Sequence, residues 1–157
     1  MEKLEIIETL KHMPDRVEAE AIGMTETVLR FRPREEEWSI KEVCGHLRDV
    51  AQNWHKRLYT VWSLTDPVFV SFDGEALVRD LAYQEAEPRP FIVEMREHTL
   101  KTVDLLSHAV DWTRLGQQPG VGRRTMKQFA EGLIRHEEEH IAQIQALKTA
   151  AGVIVSP

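Results

Sequence analysis

Residues 39–47 read Ser39-Ile40-Lys41-Glu42-Val43-Cys44-Gly45-His46-Leu47. Ser39 and Glu42 stand in the S-x-x-E spacing of a capping box, in which each side chain satisfies a free backbone N–H at a helix start. An apolar stripe follows: Ile40, Val43, Leu47, Val50, Trp54, Leu58 and Val61. Its steps of three and four define one helix face. The pattern predicts a helix from Ser39 to about Leu64, ended by Asp66-Pro67. A second box, Thr125 with Gln128, opens another helix that should run to about Ala151, with Gly152 behind it.

Two more helical patterns fill the chain. Leu4, Ile7, Leu10, Val17 and Ala21 place a helix over about Lys3 to Ile22, where Pro14 should kink or restart it and Gly23 suits a stop. Ile92, Met95, Thr99, Val103, Leu106 and Val110 place another over Pro90 to Val110, with Pro88 and Pro90 at its entrance. The rest reads as connection. Met24 to Glu37 holds Pro33 and a charge run, with room for one short helical turn. Val68 to Asp73 reads as loop, and Glu75 to Gln84 as a helical turn or two. Asp111 to Arg124, with Gly116, Pro119, Gly120 and Gly122, reads as loop without a strand ladder. Four long amphipathic helices and no strands predict an all-α fold, most simply a four-helix bundle formed by residues 1–157 as a single domain.

Composition narrows the function classes. A chain of 157 residues buries roughly 68–70% of its unfolded surface, so it needs neither disulfide nor metal merely to fold. The single cysteine, Cys44, suits a reducing compartment, and a cytoplasmic location is expected. The opening Met1 to Arg16 carries charge from its second residue and does not read as a signal peptide. No apolar run is long enough to span a membrane. A formal net charge of -6 argues against a nucleic-acid partner, which would want a basic stripe.

The chemistry concentrates in the last helix, at His136-Glu137-Glu138-Glu139-His140. Residues four apart share a face, so both imidazoles can reach one ion. The apolar stripe of this helix, Met126, Phe129, Leu133, Ile144 and Leu147, leaves a gap that His136 and His140 fill. They should point into the bundle, and Glu137 and Glu138 mostly out. Two neighbouring buried histidines need partners, and a shared metal supplies one. His46, at the edge of its helix's stripe, is the third candidate ligand. Asn53, seven residues on, stays on His46's side and could line a pocket, whereas His55 projects the opposite way. Cys44 diverges from His46 and suits packing. His12, His98 and His108 lack a partner pattern, although His98 could approach the pocket. Trp38 suits a staple or core anchor, Trp54 and Trp62 suit packing, and Trp112 could cover one end of the bundle. Three histidines without a fourth protein ligand make an open site, unlike the closed four-ligand structural zinc sites.

Three blocks, Glu37 to Asp49, Asp111 to Gly116 and His136 to Ile144, together with the helix order, resemble the DinB-like superfamily in its metal-binding four-helix form. The resemblance implies a bundle with a crossover connection, often a homodimer, and metal ligands at His46, His136 and His140. It implies one divalent ion; neutral imidazoles suit zinc, nickel, iron or copper, and zinc or nickel is the expectation. Members with assigned activities include bacillithiol-dependent transferases and mycothiol-dependent isomerases. The first expectation is therefore a metal-dependent S-transferase that uses a low-molecular-weight thiol on a small-molecule substrate, with Glu139 orienting a ring N–H or acting as a base. A metal-dependent hydrolase and a non-enzymatic, stress-associated binding bundle are the alternatives. The branch that forms sulfoxides with iron carries a glutamate two residues after its H-x-x-x-H, where this chain has Ala142.

Overall fold

The computed structural model describes residues 1–154. Four long helices form the frame: α1 (Lys3–Ala21), α3 (Ile40–Ser63), α5 (Pro88–His108) and α6 (Met126–Ala150). Two short helices, α2 (Glu26–Arg30) and α4 (Gly74–Asp80), lie in the connections, with a 3-10 turn at Tyr83–Glu85. Both capping boxes form as the sequence predicts. Ser39 Oγ accepts from the Glu42 N–H at 3.3 Å, and Glu42 Oε1 accepts from the Ser39 N–H at 3.0 Å. Thr125 and Gln128 repeat the exchange at the head of α6.

Cross-helix pairs give the packing order. His46 meets His136 while Trp54 meets Phe129, so α3 and α6 run antiparallel. Arg48 meets Glu94 and His55 meets Thr102, so α3 and α5 run parallel. Met1 meets Glu131 and Glu20 meets Lys148, so α1 and α6 are parallel. Asp15 meets Arg96 and Glu18 meets Arg89, so α1 and α5 are antiparallel. The result is a four-helix bundle in the cyclic order α1, α5, α3, α6. Because α3 and α5 are parallel, residues 64–87 must return along the bundle as a crossover.

The crossover is seated on α3 by a polar cluster. Tyr83 donates its hydroxyl to Asp49 Oδ2 at 2.7 Å and accepts from Arg48 at 2.9 Å. Gly45 makes room for it, since a Cβ there would lie 2.3 Å from the Tyr83 ring. Asp73 caps α4 by accepting from the Ala76 N–H at 3.0 Å. This tether brings the start of α4 against α3 at His46.

Three sequence expectations change. Pro14 does not restart α1, which is one helix with Pro14 buried inside it. Buried Ile6, Leu10, Met13, Val17 and Ala21 continue one stripe across the proline, and this tertiary packing outweighs a local penalty of about 3 kcal/mol. The α5 helix spans Pro88–His108, leaving Val110 beyond its end and 84% exposed rather than on the core face. The Asp111–Arg124 stretch contains an antiparallel hairpin, β1 (Leu115–Gln118) and β2 (Gly122–Thr125). Its turn needs the positive φ of Gly120 and Gly122. The hairpin also ties to the crossover, because Phe69 N–H donates to Gln117 O and Gln117 N–H to Pro67 O. No helix among the described residues is long and apolar enough to cross a membrane.

Candidate metal centre

His46, His136 and His140 come together at the α3–α6 seam. His46 Nε2 and His140 Nε2 each lie 3.2 Å from His136 Nε2. One ligand atom from each ring falls within 4.8 Å of the others, an arrangement that could hold a metal ion. The donor set also fits one chemically. Tetrahedral zinc with arms of about 2.0–2.1 Å has ligand atoms about 3.3 Å apart, close to the two measured separations. Hydrogen bonding among the rings alone leaves the cluster short, since one His136 nitrogen cannot serve as both donor and acceptor.

The surroundings hold the rings neutral. Burial, followed by repulsion from His140 and His136, pushes His46 down to about 3. Burial also lowers His136 and His140, opposed at both by the charge of Glu139. Neutral imidazole is the form that binds metals. His140 Nδ1 lies 2.8 Å from Gln143 Oε1. If Nδ1 donates that bond, the lone pair stands on Nε2, facing the cluster. His46 Nδ1 is buried without a partner. The backbone of Gly74 passes so close to this ring that a Cβ there would sit 2.6 Å from Cε1 and 2.7 Å from Nδ1.

The three rings line an open cavity of about 1060 Å³. Aromatic side chains form much of its wall. Trp54 stacks on His136 with centroids 5.8 Å apart and an interplanar angle of 15°, Trp38 stacks on His140 at 6.1 Å, and Phe72 on His46 at 6.4 Å. Trp38 and Trp54 therefore shape the cavity rather than only filling the core. Trp112 is buried and donates to Ala109 O near the end of α5.

The other candidates fall elsewhere. Asn53 is half-buried with its Nδ2 unpartnered, and it does not line this cavity. Glu139 is exposed beside His136 in a neighbouring cleft, and Gln143 makes the ring contact anticipated for it. Cys44 is buried, and desolvation pushes its thiol up to about 12, which leaves it a packing residue. His55 points toward Thr102 on α5. His12 and His108 are exposed beside carboxylates, and His98 is outside the cavity.

Glu137 overturns the expectation that it faces out. It is fully buried, both carboxylate oxygens lack partners, and burial pushes it up to about 8. The actual stripe of α6 includes Ala130, Ile134 and Ile141 besides the residues read from sequence, and Glu137 occupies its centre. His136 and His140 lie on one flank, half-buried. Glu138 does face outward and meets Arg16.

The family model of the DinB superfamily matches residues 9–144. The chain belongs to the DinB superfamily. No curated protein matches it significantly. Among solved structures, YfiT from Bacillus subtilis superposes with a TM-score of 0.89 at 22% sequence identity, covering 96% of this chain and 87% of that one. YfiT is described as "a probable metal-dependent hydrolase with an unusual four-helix bundle topology". At this identity the likeness establishes the shared fold.

Proposed function

We propose that this DinB-superfamily protein is a metal-dependent hydrolase of a small molecule, with one divalent ion held by His46, His136 and His140. The observation that carries the reading is the convergence of three imidazoles, with ligand atoms within 4.8 Å of one another, at the wall of a large, aromatic-lined cavity. Three protein ligands leave a coordination position for chemistry, as in catalytic rather than structural zinc sites. The YfiT fold and its description support hydrolysis over the other chemistries such a site permits.

Bound there, a divalent ion would supply Lewis acidity toward a carbonyl or phosphoryl oxygen and toward water. The protein's own part is orientation and exclusion. Gln143 fixes the His140 ring, and the close backbone of Gly74 fixes His46. Trp38, Trp54 and Phe72 present flat apolar faces around the three rings, which favours an acyl or aromatic portion of a substrate and limits bulk water. Neutral imidazoles suit zinc, nickel, iron or copper, and zinc or nickel is the ion proposed.

The test is a panel of esters, amides and phosphoesters given to protein loaded with zinc or nickel, beside the same protein stripped by chelator. Metal-dependent cleavage of one class, lost in His136→Ala, supports the reading. Metal-dependent conjugation of an electrophile to a low-molecular-weight thiol, without cleavage of any panel member, would replace it with the S-transferase chemistry that the family resemblance suggests. Silence in both assays with metal bound would favour the non-enzymatic bundle.

A further inference from the structure

One charged side chain in the cavity wall has no role in the site described so far. Arg57 is 6% exposed, yet it lines the same cavity as the three histidines. Among the described residues it forms no ion pair, and its one hydrogen bond runs to the Val70 carbonyl at 3.3 Å. Its guanidinium lies over two aromatic rings, 5.2 Å from the Trp54 centroid and 5.3 Å from that of Phe69. A buried charge without a counter-ion is costly. Cation–π contacts offset part of that cost, and they hold the planar fork in place.

The placement of Arg57 relative to the histidines is defined by α3. Arg57 follows His46 by eleven positions, which puts it about 20° around and three turns along the helix. Trp54 joins the two regions, because its ring stacks on His136 and also carries the guanidinium. The cavity's carboxylates, Glu36, Glu37, Asp73 and Glu75, come from the segments beside Trp38 and Gly74, at the His46 end. The cavity is thus polarised along α3, with acidic groups beyond His46 and a lone cation beyond Trp54.

We infer that Arg57 is the anion-recognition residue of this cavity, and that the ligand is a small acyl compound carrying a carboxylate, with that carboxylate on Arg57 and its reacting group at the histidines. The free nitrogens of the fork match a carboxylate, which supplies the missing counter-charge. The flat face of Trp54 receives the short chain between the two ends. The carboxylates at the far end disfavour a ligand bound in the reverse sense. The inference rests on the proposed metal site only for the position of the reacting group; the anion contact itself does not need the ion.

Calorimetric titration of the zinc-loaded protein separates the two. Acetohydroxamate reads the metal site alone. Succinic acid monohydroxamate and its neutral primary amide differ only in the charge at the far end. The non-chelating pair succinamate and succinamide repeats that comparison without using the metal. The expected result is that the carboxylate compound binds at least about tenfold tighter than the amide. That ratio falls to about one in Arg57→Met, which keeps contact with both rings, while acetohydroxamate affinity is unchanged. Arg57→Lys should retain part of the preference, and the wild-type ratio stands as a test even if neither variant folds. Metal-dependent binding of acetohydroxamate with no carboxylate preference in either pair overturns the role of Arg57 and leaves the metal site intact. Failure of acetohydroxamate to bind, with selective, Arg57-dependent binding of succinamate, does the reverse. Absence of a preference in both pairs and of acetohydroxamate binding overturns both.

Discussion

Along the α1–α5 seam the charged side chains stand outside the bundle, where Asp15 and Glu18 reach Arg96 and Arg89 in partly solvated ion pairs. Along the α3–α6 seam they turn inward, and three imidazoles meet with their charge suppressed by burial. Both seams belong to the same bundle. The difference comes from what covers them. The first is closed by its own side chains. The second is held open by the crossover and the hairpin, which supply Phe72, Gly74 and Gln118 to a cavity wall. Polar groups on an outer seam are screened by water and contribute little. Those on the inner seam are worth much more, with a sign set by their protonation.

The contrast can be broken by pH. The three histidines have folded-state pKa values below the ordinary imidazole value of about 6.5, so protons bind the unfolded chain more readily. Without metal, their effect on stability should be absent above that value. Stability should then fall as pH drops from about 6.5 toward 3, by an amount on the order of several kcal/mol, chiefly through His46. Urea unfolding of the chelated Glu137→Gln variant, which removes the opposing carboxyl, checks it across this range, and a flat profile would mean that the rings are not buried as described.

Glu137 supplies the opposite sign one residue away. Its folded pKa is raised to about 8, so its protonated form suits the fold below the ordinary carboxylate range and stability is lost as pH rises through 8. Glu137→Gln should therefore leave the metal-free protein nearly unchanged at pH 4 and stabilise it at pH 8.5 by on the order of a few kcal/mol. Equal effects at both pH values would show that burial does not shift this carboxyl.

Gly74→Ala sharpens the account of what holds His46. On propensity alone alanine should favour α4 by about 1 kcal/mol. Its Cβ would instead collide with the His46 ring. Metal affinity should fall about 10- to 100-fold with little change in far-ultraviolet circular dichroism. Unchanged affinity would mean that the ring has room to give. On the outer seam, Arg96→Ala removes pairs to Asp15 and Glu18, and should cost less than about 1 kcal/mol, shrinking further with added salt. A larger loss would erase the distinction between the seams.

Much of the frame was legible because its signals are local. The boxes at Ser39–Glu42 and Thr125–Gln128 marked two helix starts to the residue, and the spacing of His136 and His140 with the edge position of His46 brought the three rings to one seam. Gln143 was readable on the same grounds, lying one turn beyond His140 on its face. Glu137 was misplaced because the stripe was drawn without Ala130, Ile134 and Ile141, and an acidic run reads as surface unless packing is known. The hairpin was missed because Gly116, Gln117, Arg123 and Arg124 carry no alternating apolar pattern. Phe72, Gly74 and the cavity role of Arg57 depend on where the crossover lies, which no periodicity encodes.

Whether the three histidines of α3 and α6 hold one divalent ion is decided by metal content, measured by mass spectrometry on protein purified without a metal-affinity tag, beside His46→Ala, His136→Ala and His140→Ala variants verified as folded. About one ion per chain is expected in the parent protein, and its loss in each variant. A parent that stays metal-free after reloading, or variants that keep the ion, would contradict it.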